Sequence, residues 1–207
     1  MKQLLVRQLK GFSQLNDHSL PESHQIDTDN WDNNASVKAG FSIAHDTQNI
    51  YLRYTVRESN VRAIYKNPND PVYDDSCVEF FISFEKDHYY NLEFNCIGTV
   101  LGAYGRNREN RVYLENDLLG YIQVNPSLGT SKILIEDRET QWTLDVCIPI
   151  SLFIHSGLDS LKNIRASCNF YKCGDGLKVP HYLSWNPIVS EKPDFHRPEC
   201  FGEIKFE

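Results

Sequence analysis

Residues 74–84, Asp-Asp-Ser-Cys-Val-Glu-Phe-Phe-Ile-Ser-Phe, leave this chain few options. The run alternates with a period of two and is rich in β-branched and aromatic residues. That is the pattern of a buried strand, here entered through an acidic turn. Val78, Phe80, Ile82 and Phe84 share one face; Cys77, Glu79, Phe81 and Ser83 share the other. Glu79 is the anomaly, because burying a carboxylate without a partner or ligand is costly. Residues 89–96 alternate as well. Tyr90, Leu92, Phe94 and Cys96 point one way, and Tyr89, Asn91, Glu93 and Asn95 the other.

The intervening Glu85-Lys86-Asp87-His88 suits a hairpin. A slip of one residue flips every side chain, so the two apolar faces coincide only if paired residue numbers sum to an even value. Phe84 opposite His88 and Phe84 opposite Tyr90 both satisfy this, which sets Glu79 beside Glu93 or Asn95. One sheet face then carries Glu79, Ser83, Asn91, Glu93 and Asn95, with Phe81 and Tyr89 among them. Such a face is a hydrogen-bonding surface with aromatic platforms.

The rest of the chain reads as more strands. They are expected at 37–44, 50–57, 99–104, 164–171 and 201–206, with a hairpin joining 132–136 to 142–148. In the strand at 50–57, Leu52, Tyr54 and Val56 face inward and Arg53, Thr55 and Arg57 outward. Residues 1–35 read as irregular. The acidic loop at 26–34 lacks the Gly and Glu of an EF-hand and reads as a solvated turn with Trp31 as a core anchor. Residues 59–75 form a long loop carrying Tyr65 and Tyr73, and loops of that length are often functional. Residues 106–111 read as a basic loop, and 151–155 as a single helical turn. Residues 173–200 form a Pro-rich, aromatic loop holding His181, Trp185 and His196. About nine short strands with almost no helical periodicity predict an all-β antiparallel sandwich, immunoglobulin-like or jelly-roll-like, as a single domain over 1–207.

The formal net charge of −7 argues against nucleic acid as a partner. No apolar run approaches the roughly 20 residues of a membrane span. Residues 1–10 have no apolar signal core, so the expectation is a cytoplasmic protein or a mature exported form. Of the six cysteines, Cys77, Cys96, Cys147 and Cys168 lie in strand-like runs and read as small buried hydrophobes. Zinc ligation by Cys168, Cys173, His181 and Cys200 matches no usual spacing.

The order of these motifs is recognisable. Phe41-Ser42-Ile43-Ala44-His45-Asp46 and Ile50-Tyr51-Leu52-Arg53-Tyr54 come first. Asp75-Ser76-Cys77-Val78-Glu79-Phe80-Phe81 follows, then Tyr89 to Asn95 with Gly98, Trp142 with Ile148-Pro149, Ser184-Trp185, and Phe201-Gly202-Glu203-Ile204. From about residue 26 onward the chain resembles the family 9 carbohydrate-binding modules and their relatives in the DOMON superfamily. The resemblance implies a β-sandwich that binds mono- or oligosaccharides without catalysis, such as fragments of xylan or cellulose. It also implies work beside separate polysaccharide-degrading enzymes, and a possible structural calcium. In the family two aromatic residues sandwich a sugar ring, and the matching positions are Tyr73 and Trp185; the strand glutamate corresponds to Glu79. Where the family often has Trp, position 73 holds Tyr.

The chemistry agrees. Sugar C–H faces stack on aromatic rings, and hydroxyls need fixed donors and acceptors. Glu79, Asn91, Glu93, Asn95 and either Arg53 or Arg57 supply those types, and His181 and His196 in the long loop are further candidate contacts or braces of that loop. Three rivals stand beside this reading. A glycoside hydrolase would use Glu79 and Glu93 as its carboxylate pair. A protein-interaction module would bind no glycan. A haem protein would lack a Met/His axial pair, since the one methionine is Met1.

Overall fold

The structure is a computed structural model that describes residues 1–9, 20–21, 23–31 and 36–207. Sixteen strands lie among these residues. They are β1 (Gln3–Gln8), β2 (His24–Ile26), β3 (Thr28–Asp29), β4 (Lys38–His45), β5 (Asn49–Glu58), β6 (Val61–Ala63), β7 (Cys77–Ser83) and β8 (Tyr89–Asn95). There follow β9 (Val100–Gly105), β10 (Arg111–Tyr113), β11 (Gln123–Pro126), β12 (Ile133–Ile135), β13 (Thr140–Pro149), β14 (Arg165–Cys173), β15 (Tyr182–Ser184) and β16 (Gly202–Phe206). A four-residue helix, α1 (Asn116–Leu119), precedes β11.

Two sheets face each other. One runs β10-β9-β8-β7-β14-β16-β1 and the other β1-β4-β5-β13-β11. β1 belongs to both. Its first residues pair parallel to β16, and Arg7 and Gln8 pair parallel to β4, so the sandwich is a single curled sheet. Every other pairing is antiparallel. The alternation foreseen for 77–84 and 89–96 is what fills the interior. Val78, Phe80, Ile82, Tyr90, Leu92 and Phe94 point at Phe41, Leu52, Tyr54, Val56, Trp142 and Leu144 of the facing sheet. Phe170 links the layers, with its ring 3.5 Å from that of Phe41 and 4.9 Å from that of Phe80.

Ile82 pairs with Tyr90, which puts Phe84 opposite His88 and Glu79 opposite Glu93. Three expectations are corrected. Residues 3–8, read as irregular, form the strand that joins the sheets. Residues 133–135 do not pair with the strand that follows them; they pair with Val61–Ala63 in a small separate ribbon. β13 instead matches β5 residue for residue along ten pairs, a ladder that a short hairpin could not offer. Residues 106–111, read wholly as a loop, end in an edge strand at Arg111. Of the acidic loop at 26–34, residues 32–34 lie outside the described residues. No helix among the described residues is long and apolar enough to cross a membrane.

Candidate functional site

The face of β7, β8 and β14 that points away from the sandwich interior is also buried. Phe81, Tyr89, Leu101 and Tyr171 on that face pack under Val72, Ile188, Phe195 and Phe201, which come from the loops at 65–76 and 185–201. The face expected to be an open polar surface is therefore roofed. Between roof and sheet lies a small cavity of about 60 Å³. Glu79, Glu93 and Cys173 contribute from the strands. Arg108, Arg111, Asp175 and His196 add charge and hydrogen-bonding groups, and Tyr73, Tyr182 and Phe195 are its aromatic components.

Strand register explains the placement. Glu79 has Glu93 as its neighbour on β8 and Tyr171 on β14. Arg111 reaches the same face from β10, where it pairs with Gly105. A Cβ on Gly105 would lie 2.6 Å from the Arg111 Cα, so glycine is what lets β10 close in. Arg111 Nη1 stands 3.5 Å from Glu93 Oε1, and Asn91 Nδ2 donates to that same oxygen at 2.9 Å. The second oxygen, Glu93 Oε2, is buried and has no hydrogen-bond partner.

Burial dominates the titration here. It raises the Glu79 carboxyl well above its ordinary range, and the neighbouring Glu93 charge adds to the rise. It lifts Glu93 to about 7, against the opposing pull of Arg111. Asp175 rises to about 6, through burial and then the charge of Asp74. His196 falls to about 3, through burial and then the positive charge of Arg111 and Arg108. Its tautomer follows from its partners. Arg111 Nη1, 3.0 Å away, can only donate, so His196 Nε2 accepts and Nδ1–H points to the Tyr89 hydroxyl at 2.8 Å. The site thus offers a neutral acid, a carboxyl at the edge of ionisation and a fixed guanidinium, with aromatic faces beside them.

A sequence profile described as Carbohydrate-binding family 9 matches residues 12–206, nearly the whole chain. The chain belongs to carbohydrate-binding family 9. A candidate carbohydrate-binding protein from Bacteroides uniformis shares 37% identity, with a TM-score of 0.93 over 100% of this chain and 99% of that one. A family 9 carbohydrate-binding module from Caldicellulosiruptor kristjanssonii, solved with cellotriose, is 14% identical, with a TM-score of 0.62 over 100% of this chain and 94% of the other. A family 9 module from the same organism solved with glucose is 13% identical, with a TM-score of 0.60 over 100% and 96%. At those identities the last two speak for the sandwich fold. No curated protein matches the chain.

Of the site residues that sequence reasoning picked for this family 9 chain, Tyr73, Glu79, Glu93 and His196 meet at the cavity, and Asn91 holds Glu93 there. The others go elsewhere. Asn95 is committed beneath the 65–76 loop: its amide donates to Tyr65 O and Asp75 Oδ2, and its oxygen accepts from Thr99 N at 2.8 Å and Ile97 N at 3.3 Å. Trp185 is a core side chain, edge-on to Phe41 and Phe170 at 5.9 and 5.8 Å. Arg53 is on the other sheet, in a two-pronged ion pair with its cross-strand partner Asp145 at 2.5 and 3.0 Å. His181 lies inside the sandwich against Lys172. Cys168 faces the interior, so it cannot join Cys173, His181 and Cys200 in one zinc site.

Arg111, Asp175 and Tyr182 were missed. The pairing of β10 with β9 brings in Arg111, and the pairing of β15 with β14 brings in Tyr182. Neither pairing leaves a local signal. Among the described residues, the group able to hold a metal ion is Cys77, Glu79 and Cys173. Thiols are not the oxygen donors that calcium takes.

Proposed function

We propose that this family 9 chain is a single module that binds carbohydrate without cleaving it. One sugar ring sits at the mouth of the cavity, stacked on Tyr73 and Tyr182. Its hydroxyls reach inward to Glu79, Glu93 and Arg111. The observation that carries this reading is the unpartnered Glu93 Oε2 at a cavity that Tyr73 lines. A buried acceptor left unpaired costs about 1–3 kcal/mol, and a sugar hydroxyl is a donor of the right reach. Arg111 supplies donors to a neighbouring hydroxyl, and the phenol rings take the apolar C–H face.

Binding to glucose and cellotriose by family 9 modules of the same fold supports a glucan fragment as ligand. Separate polysaccharide-degrading enzymes are the proposed working partners. The cavity volume of about 60 Å³ supports binding over hydrolysis. A space of that size favours a single ring at the mouth over a glycosidic linkage held between Glu79 and Glu93.

Calorimetric titration with glucose, xylose, cellobiose and cellotriose tests this, with Tyr73→Ala alongside. The expected result is heat from at least one sugar in the wild type, weakened tenfold or more in the variant. A chromogenic glycoside should not be turned over. No heat from any sugar, with the protein folded, overturns the reading.

A further inference from the structure

A second kind of chemistry lies at the sugar-site floor. Cys77 and Cys173 are direct cross-strand partners on β7 and β14, and both point to the roofed face. Glu79 stands two residues beyond Cys77 on that face and pairs with Tyr171. Cys173 Sγ donates to Glu79 Oε1 at 3.1 Å. One atom from each side chain, two sulfurs and one carboxylate oxygen, lies within 4.8 Å of the other two. A tetrahedral zinc ion with bonds of 2.0–2.3 Å holds such ligand atoms about 3.6–3.8 Å apart. Small side-chain rotations bridge that difference.

We propose that Cys77, Cys173 and Glu79 form a site for a soft divalent cation of the zinc type, entered from the cavity. Two thiolates and one carboxylate select zinc or cadmium over magnesium and calcium. Adjacent strands fix all three Cα positions, so the site is pre-organised. Cys173 and Glu79 line the cavity, which gives the ion an entry path and leaves its fourth position open toward Glu93 or water. Arg111 stands close by to offset the surplus negative charge.

The proton balance is explicit. Burial holds Cys77 up at about 12 and raises Cys173 and Glu79 well above their ordinary values, so the metal-free site favours its protonated forms. A divalent ion displaces the two thiol protons and whatever proton Glu79 carries, giving a complex of charge −1 with protons released to the buffer. Affinity therefore rises with pH. The site does not rest on sugar binding; the ion is bound whether or not a glycan is, and a failed sugar titration leaves it standing.

Cadmium is the probe. The full chain, reduced and metal-free, is titrated with Cd²⁺ while the ultraviolet thiolate-to-cadmium charge-transfer band is followed. The expected result is saturation at one ion per chain with proton uptake by the buffer. The band should be lost in Cys77→Ser and in Cys173→Ser and kept in Cys147→Ser, whose thiol is on β13 of the other sheet. No band in the folded wild type overturns the proposal, as does a band that survives both serine variants. If those variants do not fold, the wild type still decides. Bound Cd²⁺ should shield Cys77 and Cys173 from alkylation during brief denaturant exposure, read by peptide mass spectrometry. Shielding of other cysteines instead overturns the assignment.

Discussion

Glu79 and Glu93 face each other across β7 and β8, both almost fully buried, and the ion pair to this couple runs through one guanidinium, Arg111, on Glu93. Two carboxylates cannot both ionise cheaply in that setting.

Their titration should be visible in stability. Burial lifts Glu93 to about 7 in the folded state against an ordinary value of 4.5, and raises Glu79 well above its ordinary value too. Between those limits the folded state holds the proton more tightly than the unfolded one. Stability from this couple is therefore present at low pH and lost as pH rises from about 4.5 through 7, by on the order of 3 kcal/mol for Glu93. His181 and His196 act in the opposite sense. Both are lowered to about 3, so they withdraw stability as pH falls below about 6.5. The two effects oppose each other over the same pH range, so the wild-type profile does not separate them. The difference between wild type and Glu93→Gln isolates the carboxyl. Urea unfolding at pH 5, 6, 7 and 8 should show Glu93→Gln gaining on the wild type with each step, and a pH-independent difference would contradict the assignment.

Tyr73 and Trp185 should behave oppositely. Tyr73 is half-buried at the cavity, whereas Trp185 fills the core and covers Gly202. Tyr73→Ala should weaken sugar binding with little change in the urea midpoint. Trp185→Ala should cost about 3–5 kcal/mol of stability and, where it still folds, leave the affinity near the wild-type value. A Trp185→Ala protein that is stable but blind to sugar would restore Trp185 to the site.

Gly202 gives a sharper test of the same packing. A Cβ there would lie 2.5 Å from Trp185 Cζ3 and 2.9 Å from Lys2 O. The indole ring and the β1 backbone confine that position from two sides, and overpacking of this kind costs about 1–3 kcal/mol. Gly202→Ala should lower the unfolding midpoint, and the double variant with Trp185→Leu should lose less than the sum of the two single losses.

The sandwich was legible because it depends on alternation within single strands. The 77–83 and 89–95 runs each state their own buried face, and parity ties one to the other. The candidate cavity was legible at Glu79 and Glu93, which lie on those strands, and at Tyr73 and His196 in the loops that roof them. Trp185 misled because an aromatic in a polar, Pro-rich loop reads the same whether it faces solvent or folds back over Gly202. Arg53 misled because an outward arginine on β5 has its partner, Asp145, on a strand 92 residues later. Arg111 and Tyr182 arrive through short edge pairings that carry no periodic signal of their own. His181 lies away from the cavity because its loop tucks it beneath the sheet against Lys172.

The place it tucks into supports a last prediction. Lys172 is fully buried between the sheets; its ammonium donates to Cys173 O at 2.7 Å and His181 Nε2 at 2.8 Å and forms an ion pair with Glu58 Oε2 at 3.0 Å. A lysine only donates, so His181 accepts at Nε2 and its Nδ1–H points to Val179 O at 3.2 Å. His181 is held at about 3 by burial first and the Lys172 charge second. Glu58 also accepts from Trp142 Nε1 at 2.8 Å, so the cluster pins two core strands together. Removing one charge strands the other in a dry interior, which costs about 3–5 kcal/mol. Lys172→Met should therefore destabilise strongly, and the double variant Lys172→Met/Glu58→Gln should recover most of the loss. The His181 pKa, read by NMR titration of the double variant, should rise once the lysine charge is gone. Equal stability of the single and double variants would mean that packing around Lys172, not its pairing with Glu58, is what holds this end of the sandwich.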